Sequence, residues 1–193
     1  MLEIRHLGKK FPGKTLFWDL SFSCEGAQIV KAPSGWGKTT LFRIIMGLEK
    51  PDAGSVAGAG RVCPLFQEDR LIPHLNAVQN IRLVCGPAVP EETIRMELAA
   101  LGLTEQDAAL PAAKLSGGQK RRTALLRALL APGDVLLLDE PFTGLDETAV
   151  KLAAQAIRRL RADRPALAAV HEMQGIRLLE WPVLDLTKLS RLP

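Results

Sequence analysis

The chain has 193 residues, which is enough for one well-buried domain, or for one domain with an inserted subdomain, but hardly for two. Its composition, 47% hydrophobic and 24% charged residues, is ordinary for a globular protein. The net charge of +4 suits docking near an anionic membrane face, although solvated surface charge explains it at least as well.

Neither a membrane span nor a disulfide framework is expected. The longest apolar runs are far too short to cross a bilayer, so any membrane role would come from a partner chain. The first residues, 1–5, lack the apolar segment of a secretion signal. Three scattered cysteines, Cys24, Cys63 and Cys85, favour buried thiols in a reducing compartment over a disulfide framework or a zinc site.

The first part of the chain predicts short strands, a glycine-rich turn and one helix. Glycine and proline separate three expected strands, which are Leu2 to His6, Leu20 to Cys24 and Gln28 to Lys31. A helix from Thr39 to Met46 follows the turn. An apolar strand, Val62 to Phe66, then leads directly into Gln67.

The middle of the chain, from about Arg70 to Lys114, has a helical composition. Ile94, Leu98 and Leu101 recur at helical spacing, so they form one apolar stripe. We expect a helical subdomain over about residues 69–124, inserted into the main core of a single domain that spans 1–193.

The second half alternates helices with apolar strands. Val135 to Leu138 has no polar alternation, as expected for a strand buried on both faces of a parallel sheet. Leu167 to Val170 is a further buried strand, and it ends at His171. The alternation predicts an α/β fold with a mainly parallel sheet, whose ligands bind at the carboxyl ends of the strands.

The run from Ser34 to Thr40 predicts a phosphate-binding loop. Gly35 and Gly37 would let backbone N–H groups approach the β- and γ-phosphates, and the following helix adds its positive dipole end. Lys38 would supply a charge to the same oxygens, and the Thr39 hydroxyl would ligate Mg²⁺.

Two residues depart from the usual phosphate loop. The full pattern has glycine at position 32, where this chain has Ala32. Trp36 lies between two loop glycines, and its indole cannot fit under the phosphates. We expect the indole to point outward, towards solvent, a base or a partner surface.

Two further motifs predict chemistry. Asp139 ends a buried strand and would hold Mg²⁺ through water, while Glu140 is placed to orient or deprotonate the attacking water. A Ser-Gly-Gly turn that opens a basic helix, at Ser116, predicts a second anion-binding helix start. A single-site monomer has no use for a second one.

With these motifs in this order, the chain resembles the ATP-binding cassette family, the ATPase subunits of ABC transporters. The family adds to a P-loop core a small N-terminal antiparallel part. The resemblance implies that Glu140, His171 and Gln67 are catalytic, that Thr39, Gln67 and Asp139 hold Mg²⁺, and that ATP contacts a further set of residues. That set is Phe11, Ser34, Gly35, Trp36, Gly37, Lys38, Thr39, Thr40, Ser116, Gly117, Gly118, Gln119 and Asp146.

The individual assignments have simpler alternatives. Phe11, implied to stack on adenine, is the kind of residue that more often belongs to the core. Gln67 alone would more often be a surface glutamine, and His171 alone a structural histidine. Their positions after buried strands favour contact with the γ-phosphate and the metal.

The resemblance also implies partners. Two such domains would pair head to tail, so that ATP at Lys38 of one is capped by Ser116 and Gly118 of the other. An integral membrane permease, and a solute-binding protein if the system is an importer, would complete the assembly on the inner face of the cell membrane. Residues 66–81 resemble the permease-binding stretch of nitrate, sulfonate and taurine importer ATPases.

Two other functions stay open at this point. A soluble ABC ATPase could act on nucleic acid or ribosomes, but the stretch between Gln67 and Leu115 has no sustained heptads for a coiled coil. The basic runs 120–122 and 158–161 lie on expected helices and favour solvated faces, so no nucleic acid is expected. A degenerate, binding-only cassette is suggested by Ala32 and Trp36 and opposed by Lys38 and Glu140.

Overall fold

The computed structural model describes residues 1–171 and 173–189. The strands are β1 (Leu2–Phe11), β2 (Lys14–Cys24), β3 (Ala27–Lys31), β4 (Ala53–Ala57), β5 (Val62–Leu65), β6 (Val135–Asp139), β7 (Ala166–Ala169) and β8 (Val183–Asp185). The α-helices are α1 (Lys38–Ile45), α2 (Ala77–Cys85), α3 (Glu91–Ala100), α4 (Glu105–Ala109), α5 (Gly117–Leu130), α6 (Glu147–Leu160) and α7 (Met173–Leu179).

The strands form two sheets. A three-stranded antiparallel sheet has the order β2-β1-β4, and a five-stranded sheet has the order β5-β6-β7-β3-β8. Every pairing in the larger sheet is parallel. The predicted α/β class, with a mainly parallel sheet and a small N-terminal antiparallel part, is confirmed.

The parallel sheet is covered on both faces, as the apolar run of β6 predicts. Leu136 and Leu138 belong to a core cluster that they share with α2, α3, α5 and α6. Val135 and Leu137 face the opposite cluster, which contains α1 and the antiparallel sheet. All five residues of β6 are buried, which holds its carboxyl end in a fixed position between two packed layers.

Helices α2 to α5 lie between β5 and β6 in the sequence, where the helical insertion was expected. Ile94, Leu98 and Leu101 are buried in their shared cluster. The helix α5 continues unbroken past 124, and its Leu125, Leu126 and Leu129 pack in the same cluster. The subdomain boundaries at 69 and 124 stay a proposal.

The N-terminal strands are longer than predicted. Instead of ending at His6, β1 continues to Phe11, and β2 begins at Lys14 rather than Leu20. Register shifts interrupt the pairing of these strands, and His6 and Asp19 have positive φ angles of 50° and 53°. These irregularities break the in-out alternation by which a long strand is recognised. The sequence analysis also missed β4, α7 and β8.

Cys24, Cys63 and Cys85 are buried free thiols, as expected. Burial raises the pKa of each thiol. Within the described ranges, no helix has the length and hydropathy that a bilayer crossing requires.

Candidate functional site

An open cleft lies where several strands of the parallel sheet end. Its lining contains Leu16 together with eleven of the predicted site residues: Phe11, Ser34, Gly35, Gly37, Lys38, Thr39, Thr40, Gln67, Asp139, Glu140 and His171. Asp139 ends β6, Glu140 follows it directly, and the loop before α1 leaves β3. The topology therefore brings together residues that are more than a hundred positions apart.

The loop between β3 and α1 has a backbone that requires glycine. Gly35 and Gly37 have φ angles of 71° and 112°, which L side chains rarely adopt. A Cβ on Gly37 would also lie 3.0 Å from Leu16 Cδ1. Gly37 is the N-cap of α1, and no side chain caps that helix. The first N–H groups of α1 are therefore available to an anion.

Lys38 is held inside this loop. Its Nζ donates hydrogen bonds to the carbonyl oxygens of Ala32, at 2.8 Å, and Pro33, at 3.2 Å. The side chain is buried, at 8% exposure. Burial lowers the pKa of Lys38, and the nearby charges of Glu140 and Asp139 oppose that shift. A phosphate group beside it would favour the charged amine.

The departure at Ala32 is tolerated by the backbone. Ala32 is not one of the described non-glycine residues that have a positive φ. Its carbonyl oxygen accepts the hydrogen bond from Lys38, and its side chain is 8% exposed. The position therefore places no demand for glycine on the chain.

The expectation that the Trp36 indole points outward is wrong. Its ring stacks on Phe17 of β2, with 5.7 Å between ring centroids and 24° between the planes. It packs against the core cluster beneath the antiparallel sheet. Stacking on a buried aromatic ring removes apolar surface from water, which an outward indole would not achieve. The Trp36 side chain does not line the cleft.

Thr39 and Asp139 meet at the base of the cleft. The Thr39 hydroxyl donates a hydrogen bond of 2.8 Å to Asp139 Oδ2. Burial of Asp139, at 5% exposure, raises its pKa, and the Thr39 hydrogen bond opposes that shift. A cation at this place would relieve the cost of a buried carboxylate.

Glu140 faces His171 across the cleft. His171 Nε2 lies 3.4 Å from Glu140 Oε1, and the Thr143 hydroxyl donates to Glu140 Oε2 at 3.2 Å. Glu140 has a φ of 52°, in the left-handed region that side chains seldom occupy. Its N–H donates to the Ala169 carbonyl at the end of β7. The carboxylate is thus held at one place by contacts from both sides.

The predicted residues of the second helix start lie elsewhere. Ser116 is the N-cap of α5, and Gly117, Gly118 and Gln119 form the first turn. None of these residues lines the cleft, and neither does Asp146, which caps α6 by accepting from Ala149 N at 2.8 Å. A Cβ on Gly118 would lie 3.4 Å from the Gly144 carbonyl, so this turn packs beside the loop before α6.

Sequence reasoning missed two basic residues near the cleft. Lys14 donates from Nζ to the Gly35 carbonyl at 2.8 Å. The interpretation of residues 120–122 as a solvated face is wrong for Arg121, which is 3% exposed and donates to Asp139 and Glu140 carbonyls. A signal was present, because Arg121 precedes Leu125 by one helical repeat and so lies on the buried side of α5. The prediction of exposure holds for Arg158 and Arg159.

The parallel sheet, the glycine loop that opens α1 and the buried aspartate at a strand end define a P-loop nucleotide-binding protein. The profile of the ABC transporter family matches residues 19–143. The chain belongs to that family.

Individual relatives agree with this assignment. The chain is 37% identical, over 196 residues, to the aliphatic sulfonates import ATP-binding protein SsuB 1 of Rhodococcus jostii (strain RHA1), covering 96% of this chain and 79% of the relative. It is 36% identical, over 191 residues, to SsuB of Delftia acidovorans, with coverage of 96% and 79%. It is also 37% identical to the Fe(3+) ions import ATP-binding protein FbpC 1 of Rhodococcus jostii, covering 88% of this chain but only 53% of that relative.

Solved structures show the same fold. The dimeric structure of MJ0796, a bacterial ABC transporter cassette, superposes with a TM-score of 0.80 at 25% identity and covers 96% of this chain and 94% of its own. A dimeric post-hydrolysis state of the same cassette, bound to ADP and Pi, superposes equally well. The predicted family, fold and nucleotide-binding ATPase class are confirmed.

Proposed function

We propose that the chain is the ATP-hydrolysing subunit of an ABC importer, which drives solute transport through a separate membrane permease. The observation that carries the proposal is the convergence of Lys38, Asp139 and Glu140 on one cleft. Relatives that span most of the chain are named import ATP-binding proteins, which supports the direction of transport.

ATP is the substrate of the proposed reaction. Its phosphates would bind the N–H groups of the loop and of α1, with Lys38 as the cation. Phe11 lines the same cleft and is 43% exposed; Lys9 Nζ lies over its ring, 5.0 Å from the centroid, and the exposed part of the ring would stack on adenine. Ser34 and Thr40 complete the loop lining.

The oxygen groups at the base of the cleft fit Mg²⁺. Thr39 and Asp139 already lie within hydrogen-bond distance of each other, and Gln67 lines the same cleft. One carboxylate, a hydroxyl and an amide supply oxygen donors of the kind that bind Mg²⁺, whose coordination is commonly completed by water and substrate phosphates. When bound, Mg²⁺ neutralises charge that develops on the phosphate oxygens.

Hydrolysis would use Glu140 and His171. Glu140 is the proposed base that orients water and accepts its proton at the carboxylate, while Thr143 holds the other carboxylate oxygen. His171, 3.4 Å from that carboxylate, would contact the γ-phosphate. Gln67 would sense the same phosphate from the end of β5.

A second copy would complete each site. Residues Ser116 to Gln119 do not line their own cleft, which supports their use on a partner's nucleotide in a head-to-tail pair. Asp146 lies at the start of α6, where the neighbouring loop packs beside Gly118. The MJ0796 cassette, which has the same fold, is dimeric in both of its structures.

The permease would dock beside residues 66–81. A small pocket is lined by residues from this stretch and from α1 and its C-terminal end, including Phe42, Met46, Gln67 and Arg70. Leu48 lines it as well and is 56% exposed. Docking here would place the chain on the cytoplasmic face of the membrane, and a solute-binding protein would deliver cargo from the other side.

Uptake measured in cells tests the proposal. Cells that lack the chain would receive the wild type or Glu140→Gln, and uptake of an aliphatic sulfonate and of ferric ion would be compared. We expect ATP-dependent uptake of one of them with the wild type only. Equal uptake with the wild type and with Glu140→Gln would contradict the importer assignment, and phosphate release by the wild type without uptake of either solute would exclude only these two cargoes.

A further inference from the structure

We propose that Arg121 is a positioning residue, which fixes the backbone of Gln67 and Glu140 and ties them to the helix that begins at Ser116. This inference rests on the proposed function, because it concerns the residues to which hydrolysis is assigned. It assigns a role to Arg121, a buried arginine that is not one of the proposed catalytic residues.

The Arg121 guanidinium joins two segments of the cleft. From Nη1 it donates to the carbonyl oxygens of Phe66, at 2.7 Å, and Gln67, at 3.2 Å. From Nη2 it donates to the carbonyl oxygens of Asp139, at 2.6 Å, and Glu140, at 2.8 Å. One planar group therefore holds the end of β5 and the end of β6 at a fixed separation.

The charge of Arg121 is buried to make these contacts. The residue is 3% exposed, and the only carboxylate that pairs with it among the described residues is Asp69, 3.1 Å from Nη1. The Nε atom of Arg121 is buried, and it has no hydrogen-bond acceptor among the described residues. Burying a charge is unfavourable unless it is paired and hydrogen-bonded, and the contacts of Nη1 and Nη2 meet that condition. The fork geometry explains why arginine occupies the place, since lysine cannot bridge two segments in one plane.

Glu140 needs such support. Its φ of 52° is unfavourable for a residue with a side chain, and such conformations persist only where the surroundings enforce them. Arg121 holds the Glu140 carbonyl, and Ala169 accepts from its N–H. Releasing the carbonyl would let the peptide relax and would move the carboxylate away from its place beside His171.

The position of Arg121 on α5 gives the contact a second consequence. This helix begins at Ser116, so Arg121 lies little more than one turn from the N-terminus offered to a partner. A shift of that turn when it contacts a partner's nucleotide would be transmitted through Arg121 to Gln67 and Glu140. The two sites of a pair would thereby be linked through a rigid element within each chain.

Arg127 provides a matched control on the same helix. It donates to the Arg70 carbonyl and to the Asp69 carbonyl, both at 2.7 Å. It therefore holds the neighbouring part of the loop after β5, and its hydrogen bonds among the described residues do not include Gln67 or the end of β6.

The test compares Arg121→Met, Arg121→Lys and Arg127→Met in the full chain. Hydrogen exchange without nucleotide should show faster exchange over 66–69 and 139–143 in Arg121→Met, but only near 69–71 in Arg127→Met. With Mg-ATP, kcat of Arg121→Met should fall about tenfold or more, because small displacements of reacting groups are costly, while ATP affinity by calorimetry changes less than about threefold. Arg121→Lys should recover part of kcat, and Arg127→Met should keep most of it.

Unchanged exchange over 139–143 in Arg121→Met, or an equal fall of kcat in Arg127→Met, would overturn the inference. If Arg121→Met does not fold, Arg121→Lys decides: wild-type kcat and exchange in it would overturn the inference. A wild type that does not hydrolyse ATP would overturn the proposed function instead, while the exchange comparison would still decide whether Arg121 fixes the two segments.

Discussion

The N-termini of α1 and α5 have similar sequences, rich in glycine, but they differ in how their first N–H groups are capped. Glycine lies at both starts, as the N-cap Gly37 of α1 and as the first residues Gly117 and Gly118 of α5, and neither first turn contains an acidic residue. At α1 the N-cap is Gly37, and no side chain occupies the first N–H groups. At α5 the Ser116 hydroxyl accepts from Gln119 N at 3.2 Å, and the Gln119 amide oxygen accepts from Ser116 N at 2.8 Å.

The difference shows that two helix starts of similar sequence can differ in their first N–H groups. In an open start no side chain caps them, and in a self-satisfied start the helix's own side chains accept from some of them. The open start of α1 has a buried lysine beside it and lies at the end of a fixed sheet, so it can bind phosphate in a single chain. The start of α5 has its first donors partly satisfied by its own capping box. Under the proposed function, a partner's nucleotide that bonds to the Ser116 hydroxyl would compete with the hydrogen bond that this hydroxyl accepts from Gln119 N.

Glu140→Gln should have the largest effect, because it removes the proposed base and leaves both helix starts intact. Turnover should fall by about 10²–10⁴-fold, the usual contribution of general base catalysis. ATP should still bind through Lys38 and Thr39, and the closed pair should persist. Phosphate release and gel filtration with ATP or ADP measure both effects, and a mutant that retains wild-type turnover would disprove the assignment.

Ser116→Arg should separate the two helix starts most clearly. The larger side chain obstructs the start of α5 but lies outside the cleft that contains Lys38. Turnover should fall about 100-fold or more, since misplacing one contributing group has effects of that size. ATP affinity of the monomer should stay within about twofold by calorimetry. Equal losses of affinity and turnover would place Ser116 in its own chain's site.

Much of the parallel core could be predicted because its strands are short and apolar on both faces. Val135 to Leu138 and Leu167 to Val170 appear as β6 and β7 within one residue of the expected bounds. The bulged strands β1 and β2 were cut short, since their side chains do not alternate. β4 was missed because its sequence, Ala-Gly-Ser-Val-Ala, is small and mostly exposed.

The cleft residues that belong to sequence motifs could be predicted. The residues whose side-chain direction depends on packing in the fold could not. Lys38, Asp139 and Glu140 follow from spacing after strands, and the structure brings them together. The direction of Trp36 depends on Phe17, a contact between residues that only the fold makes neighbours. Arg121 was misinterpreted because a run of three basic residues is normally solvated, although its spacing from Leu125 placed it on the buried side of α5. The main-chain carbonyls that accept from it cannot be recognised in a sequence.

Lys38→Ala should weaken the open helix start. Removing one cation that bonds to phosphate should lower ATP affinity by about 10–100-fold, the range expected for charge-assisted hydrogen bonds. Lys14→Ala is the matched control: Lys14 also donates to the loop, at the Gly35 carbonyl, but is exposed. It should have the smaller effect by calorimetry. Unchanged affinity in Lys38→Ala would mean that the phosphate site is wrongly placed.

Ser116→Ala should have the smallest effect and should test the self-satisfied state of α5 directly. It removes the hydroxyl that accepts from Gln119 N, so the free energy of unfolding should fall by about 1 kcal/mol, the usual contribution of an N-cap. Asn76→Ala removes an equivalent capping box, formed with Gln79 at the start of α2, and should cost a similar amount in urea unfolding. If Ser116 also contacts a partner's nucleotide, Ser116→Ala should lower turnover and the control variant should not. Only the Ser116 hydroxyl would form a contact with the nucleotide in addition to its capping hydrogen bond. If both variants lose the same free energy of unfolding and have equal turnover, the only role of the Ser116 hydroxyl is to cap α5.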